Sequence, residues 1–183
     1  MRVIGNTSPR YAYGVNLGFN WGDFDLSAFF QGIGKRDFWP GSESGVFWGT
    51  FNRWNQPIYE HLIGNYWTPE NPDAYFPRLR AYQALAANRS LGTAQSAYLQ
   101  DASYLRLKNL TIGYNLPAKW INKLGLTKIR FFVSGQNLVT WTKLSEAFDP
   151  ESIGDEPDNT TKSGNGFVYP MQRTYVAGLD ISF

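Results

Sequence analysis

Tyr11-Ala12-Tyr13-Gly14-Val15-Asn16-Leu17-Gly18-Phe19-Asn20-Trp21 is followed by Gly22-Asp23 and then by Phe24-Asp25-Leu26-Ser27-Ala28-Phe29-Phe30-Gln31-Gly32-Ile33. The first arm alternates with a period of two: Tyr, Tyr, Val, Leu, Phe and Trp on one parity, Ala, Gly and Asn on the other. A strand with one large apolar face and one small polar face reads this way. Gly22-Asp23 supplies a two-residue turn in which Gly takes positive φ, so the stretch is a hairpin. The return arm sets Phe24, Leu26, Ala28 and Phe30 against Asp25, Ser27 and Gln31, with only Phe29 out of place. Alternation alone does not name the solvent. The apolar parity begins with Tyr and ends with Phe19, Trp21 and Phe24, with aliphatics between. That aromatic–aliphatic–aromatic order over about 9–11 residues suits a strand crossing a bilayer, and the Gly- and Asn-rich parity suits a wet lumen.

The chain has 183 residues, enough for a sizeable core, with 17% aromatic and 17% charged side chains. No window holds the run of about 18 apolar residues that a spanning helix needs. Entry into a membrane therefore requires strands in a closed barrel, since lipid cannot satisfy open backbone groups. Net charge is +2 with scattered basic residues, which is no footprint for nucleic acid. Cysteine is absent, so disulfides and thiolate metal sites are excluded. Met1-Arg2-Val3-Ile4 leads directly into Gly5-Asn6-Thr7 without an apolar signal core, and the hairpin favours a piece whose targeting segment lies elsewhere.

The pattern predicts five strands, at about 10–21, 24–33, 103–116, 129–141 and 173–183, joined by long links over 34–102 and 142–172. In the third strand Leu105 and Leu107 lie on the opposite parity to Leu110, Ile112 and Tyr114. The phase slips near Lys108-Asn109, which predicts a bulge there or an upper half outside the bilayer. The link 34–102 is too aromatic for disorder, and Asn55–Ile63, with Pro57 near its start and Gly64 after it, reads as a short helix. A further helical turn is expected through Lys119-Trp120-Ile121-Asn122, stopped at Gly125.

Connections run short, long, short, long, so antiparallel strands gather both short links on one side. Outer-membrane barrels share this asymmetry, with short periplasmic turns and long outer loops. The chain closes on an aromatic, Phe183, on the periplasmic side in this reading. Five strands cannot close a barrel, and an odd number leaves two open edges. The expected fold class is all-β: an antiparallel transmembrane β-barrel segment, the C-terminal part of a larger barrel.

Several motifs resemble a known family. Asn16-Leu17-Gly18-Phe19, Asp25–Gly32, Tyr66-Trp67-Thr68-Pro69-Glu70-Asn71-Pro72 and Ser103–Leu110 look like the late barrel of the SusC/RagA-type TonB-dependent outer-membrane transporters. So do Ser134-Gly135-Gln136-Asn137-Leu138, Phe148-Asp149-Pro150-Glu151 and the stretch from Tyr169-Pro170 to Phe183. The resemblance implies a 22-stranded barrel with an N-terminal plug, of which this chain supplies about the last five strands. It also implies a Bacteroidetes-type outer membrane, a SusD-like surface lipoprotein presenting glycan or peptide, and energy from TonB through a box in the missing N-terminal part. The plug, the TonB box and most of the barrel are absent from this chain.

In this reading Asn16, Asn20, Asp25, Ser27, Gln31, Thr111, Asn115, Asp180 and Ser182 face the lumen. Val15, Leu17, Phe19, Trp21, Leu26, Phe30, Ile112, Leu179 and Ile181 face lipid. Among the loop aromatics, Trp48, Trp54 and Trp67 are the candidates for substrate or lipoprotein contact, because an aromatic face covers the apolar face of a sugar. Packing of the loop on itself is the blander reading of any one of them. The acidic run Glu146, Asp149, Glu151, Asp155, Glu156, Asp158 offers oxygens for Ca²⁺, yet its spacing fits no EF-hand and a solvated loop is the simpler account. No other cofactor or metal is expected. His61, the lone histidine, has no partner for zinc or a catalytic triad, and no acid pair, P-loop or dinucleotide fingerprint is present, so no enzyme is expected. The competing class is a soluble β-sandwich glycan-binding module, in which the apolar parity would pack against a second sheet.

Overall fold

The computed structural model describes residues 2–41, 44–51, 55–79, 91–121, 125–154 and 168–183. Their seven strands are β1 (Tyr11–Trp21), β2 (Phe24–Gly34), β3 (Asp37–Phe38), β4 (Gln100–Asp101), β5 (Tyr104–Asn115), β6 (Lys128–Thr142) and β7 (Thr174–Ser182). The chain divides into two compact units.

The sheet unit comprises Pro9–Lys35, Ser103–Thr142 and Met171–Phe183. Its five strands run antiparallel in the order β1-β2-β5-β6-β7. The β1–β2 turn has Gly22 at φ 58°, positive at the first of its two residues, as a type II′ hairpin requires. Residues 116–127 join β5 to β6, with a short helix α1 over Ala118–Ile121 and Gly125 at φ 70°. Asn122 of the expected helical turn lies outside the described residues.

The phase slip read from the sequence is a bulge. Phe29 pairs with Asn109 and Phe30 with Leu107, leaving Lys108 as the extra residue of β5. Against β6, Leu107 pairs with Val139 and Asn109 with Gln136, and Asn137 takes φ 52° inside the irregularity. The inserted residue returns Leu105 and Leu107 to the face of Leu110 and Ile112. One apolar surface thus runs the length of the strand.

The loop unit comprises Met1–Ser8, Arg36–Ala102 and Lys143–Pro170. The β3–β4 ribbon clasps the two ends of the first long link. A four-residue helix over Gly45–Trp48 and 3-10 turns over Gly49–Phe51 and Glu60–Leu62 follow within it. The helix expected over Asn55–Ile63 is reduced to that last turn. Tyr59 at its start is extended, with ψ 155°, and Leu62 is drawn into the core. That core joins Phe38, Phe47, Trp48, Phe51, Leu62 and Phe76 of the first link to Leu144, Phe148 and Ile153 of the second. Each large side chain so buried contributes about 1.5–3 kcal/mol, which lets a segment with little regular structure hold a shape.

Candidate functional site

Register assigns every strand position to a face. Across the sheet, Val15 stands beside Phe30, Phe19 beside Leu26, Leu26 beside Ile112, Ile112 beside Val133, and Phe131 beside Leu179. All nine residues read as apolar-facing (Val15, Leu17, Phe19, Trp21, Leu26, Phe30, Ile112, Leu179 and Ile181) lie on this one face. Val15, Leu17, Leu179 and Ile181 are 47%, 53%, 49% and 50% exposed, where a sandwich would bury them. No second sheet covers them among the described residues.

Aromatics mark the ends of this face along single strands: Tyr11 and Trp21 on β1, Phe131 and Trp141 on β6. Ten steps at ~3.3 Å, tilted by about 40°, rise roughly 25 Å, the height of the apolar band of an outer-membrane barrel. Ala177 leaves a shallow apolar depression between Ile112, Tyr114, Phe131 and Val133.

The opposite face holds Asn16, Asn20, Asp25, Ser27, Gln31, Thr111, Asn115, Asp180 and Ser182, the whole set read as polar-facing. Thr111 Oγ1 donates to Ser134 Oγ at 3.0 Å, and Arg106 Nε to Thr140 Oγ1 at 2.7 Å. Arg130, absent from the residues expected on this face, organises it. Its Nε and Nη2 donate to the two carboxylate oxygens of Asp25 at 2.9 and 2.6 Å, and its Nη1 to Asp180 at 3.1 Å. Asn115 Nδ2 donates to the same Asp25 oxygen as Arg130 Nε, at 3.1 Å. The sequence signal was available: Arg130 shares the parity of Asp180 in the paired strands, and Gly113 lies opposite Asp25. Phe29, the residue out of place, lies over Gly14 on the polar face, and Phe132 lies over Gly178. The glycines of that face make room for these rings.

In the loop unit the three candidate tryptophans part ways. Trp48 is fully buried, its Nε1 donating to the carbonyls of Pro40 and Gly41 at 3.1 and 3.0 Å, with Phe47, Phe76 and Tyr98 packed around it. The expectation that it meets a ligand is corrected: no face of its ring is open, because apolar burial of so large a side chain outweighs its use as a platform. Trp54 lies outside the described residues. Trp67 is half-buried beside a parallel bridge of Tyr66 to Phe76, its N–H donating to Phe76 O at 2.9 Å, with the Arg78 guanidinium 6.0 Å from its ring centroid. Of the two described candidates it alone keeps solvent exposure.

His61 Nε2 bonds the Phe47 carbonyl at 2.9 Å, which places a proton on that nitrogen, and its ring stacks with Phe47 and Tyr59. Burial pushes the Tyr75 and Tyr98 hydroxyls above the ordinary tyrosine range, opposed at Tyr75 by the hydrogen bond from Gln100 Nε2. Within the acidic run, Asp149 Oδ1 accepts the Glu151 N–H at 2.9 Å and its carbonyl accepts the Ser152 hydroxyl at 3.0 Å, an Asx turn. Asp155, Glu156 and Asp158 lie outside the described residues. No group of three or more His, Asp or Glu that could hold a metal is found among the described residues. No described helix is long and apolar enough to cross a membrane, a test that does not bear on strands.

Fold and faces define a class: an antiparallel sheet with one apolar exposed side, one polar side, and a separately packed loop body. No protein-family model matches the chain. It is 32% identical over 187 residues to TonB-dependent receptor P3 of Formosa agariphila, a match covering 100% of this chain and 17% of that protein. TonB-dependent receptor P26 of the same organism is 27% identical, covering 99% and 18%. Among solved structures, that of the RagAB peptide transporter matches with a TM-score of 0.71 and 28% identity, over 100% of this chain and 18% of the other. The RagAB peptide importer in its open-open state matches at 0.66 and 26%. Over its whole length the chain is thus similar to TonB-dependent receptors, and its fold to that of the RagAB peptide transporter. The chain spans about a sixth of the relatives it matches. The proteins it resembles are named as receptors and transporters, in keeping with a non-enzymatic role.

Proposed function

We propose that this chain is a stretch of wall from an outer-membrane β-barrel, part of a TonB-dependent importer in a Bacteroidetes-type envelope. The observation that carries the reading is the segregation of faces: one continuous apolar surface, ended along single strands by aromatics ten residues apart, backed by a polar surface with a charged cluster. Under this reading Val15, Leu17, Leu26, Ile112, Leu179 and their neighbours meet lipid, while Asn16, Asp25, Ser27, Thr111, Asp180 and theirs meet a wet lumen. The remaining strands of a 22-stranded barrel, and a plug, close the pore along the free edges of β1 and β7. A SusD-like surface lipoprotein and the TonB complex complete the machine. Short peptides are the favoured cargo, supported by the similarity to the RagAB peptide transporter; glycans are the second class, supported by the aromatic loop unit with Trp67 at its surface. No metal or cofactor is needed for this role.

Fractionation of cells producing the full-length receptor tests the placement. The protein is expected in the outer membrane, released only by detergent; a monodisperse soluble protein would overturn the reading. Growth of a deletion strain on peptide or on glycan as the limiting nutrient then separates the two cargo classes.

A further inference from the structure

The turn that carries Trp67 is fixed from both sides. Trp67 N–H donates to the Phe76 carbonyl and Phe76 N–H to the Asn65 carbonyl, both at 2.9 Å, and Phe76 is 1% exposed in the loop-unit core. Between them, Asn71 N–H donates to the Thr68 carbonyl at 3.0 Å and Asn71 Nδ2 to the Gly64 carbonyl at 3.0 Å. Pro77 then stiffens the step from Phe76 to Arg78, because its ring locks φ. Indole and guanidinium both stand on backbone with little freedom, which lowers the ordering cost of a ligand that uses the two together.

Arg78 is exposed, and its guanidinium carbon lies 6.0 Å from the Trp67 ring centroid. The ring attracts the charge but offers no oxygen, so the N–H donors of the guanidinium stay available for one. Glu70 and Asp73 belong to the same turn, yet neither pairs with Arg78, and no hydrogen bond holds its guanidinium among the described residues. A cation with its donors unspent therefore sits beside a half-buried aromatic surface. A ligand that completes the pair needs a planar anion next to an apolar group. A carboxylate meets the guanidinium fork with two parallel hydrogen bonds. In the last residue of a peptide, the side chain leaves the same carbon as the terminal carboxylate, within reach of the indole's broad apolar face.

We propose that Trp67 and Arg78 form a subsite for the C-terminal end of a short peptide, with the guanidinium on the terminal carboxylate and the indole against the last side chain. The inference rests on the reading of the whole receptor as a peptide importer, and it names the chemical group that the loop unit grips.

Isothermal titration of the full-length receptor in detergent, with an alanine-rich peptide ending in leucine, tests it. Amidation of the C-terminus is expected to weaken binding roughly tenfold, the scale of one charge-assisted contact. In Arg78→Gln the free and amidated peptides are expected to bind alike. Arg78→Lys, which keeps the charge without the fork, should restore only part of the difference. The penalty for replacing the final leucine by glycine should shrink in Trp67→Ala. Each readout is a ratio of two ligands on one variant, so a general loss of folding does not imitate it. An amidation penalty unchanged in Arg78→Gln would overturn the subsite and leave the peptide reading standing. Failure of both peptide forms to bind the unaltered receptor, with an acidic oligosaccharide binding instead, would remove the peptide reading and the subsite with it.

Discussion

Arg130 on β6 and Asp25 on β2 are joined by two hydrogen bonds, at 2.9 and 2.6 Å, although β5 runs between their strands. The bridge passes over Gly113, where a Cβ would stand 2.5 Å from both Arg130 Nε and Asp25 Oδ1. A glycine is needed at this crossing because the space of its missing side chain is filled by the ion pair. Gly113→Ala is expected to break the pair and cost about 1 kcal/mol, the scale of a part-exposed ion pair, read as a lower denaturation midpoint in detergent. In an Asp25→Asn background the same substitution should cost measurably less. Equal cost in both backgrounds would dissociate Gly113 from the bridge.

Trp48 and Trp67 should respond oppositely to truncation. Trp48→Ala removes a fully buried ring and two hydrogen bonds, and about 3–5 kcal/mol of loop-unit stability should go with it. Trp67→Ala should leave stability within about 1 kcal/mol and, if its edge meets cargo or a partner protein, weaken that binding instead. Thermal melts paired with binding assays on the two variants check this.

The sheet was legible because its signal is local and periodic. Tyr11 to Trp21 carries its parity in eleven consecutive residues, Gly22-Asp23 announces the turn, and the broken phase at Lys108 announces the bulge. The Arg130 bridge was half legible: Asp25 and Asp180 were read on one face without Arg130, and only the register of three strands sets all three at bonding distance. The loop unit was opaque. Nothing near Arg36 signals that the carbonyls of Thr7 and Ile153 will converge on it, and the aromatic residues that form the unit's core look, in sequence, like those that cover its surface. Trp48 was misread for that reason: burial in an irregular segment follows from distant partners such as Phe76 and Tyr98, not from any period.

Tyr75 and Tyr98, with ring centroids 5.2 Å apart, give the loop unit an alkaline limit. Both hydroxyls hold their protons more tightly when folded than the ordinary value of 10.0. Their contribution to stability is therefore complete below about pH 10 and is lost as pH rises past it toward the raised folded values. Stability of the loop unit, followed by exchange at Phe76, should fall over that window, and less steeply in Tyr98→Phe. A fall at acid pH with none at alkaline pH would contradict the assignment.

Neighbouring positions on one strand should tolerate charge very differently. Leu17→Arg places a cation on the apolar face near mid-strand, at a cost of roughly 2–4 kcal/mol if that face meets hydrocarbon. Asn16→Arg, one residue away on the polar face, should cost little. Folding yield of the full-length receptor into bilayers of defined composition measures both.

The two-faced sheet is tested most directly by spin labels placed singly along β1, β2, β5 and β7 of the full-length receptor in lipid. Labels at Leu17, Leu26, Ile112 and Leu179 should be relaxed strongly by dissolved oxygen and hardly by a water-soluble nickel chelate, with the preference reversed at Asn16, Ser27, Thr111 and Asp180. Chelate access to the Leu17 and Leu179 positions, or equal access on both faces, would contradict the account.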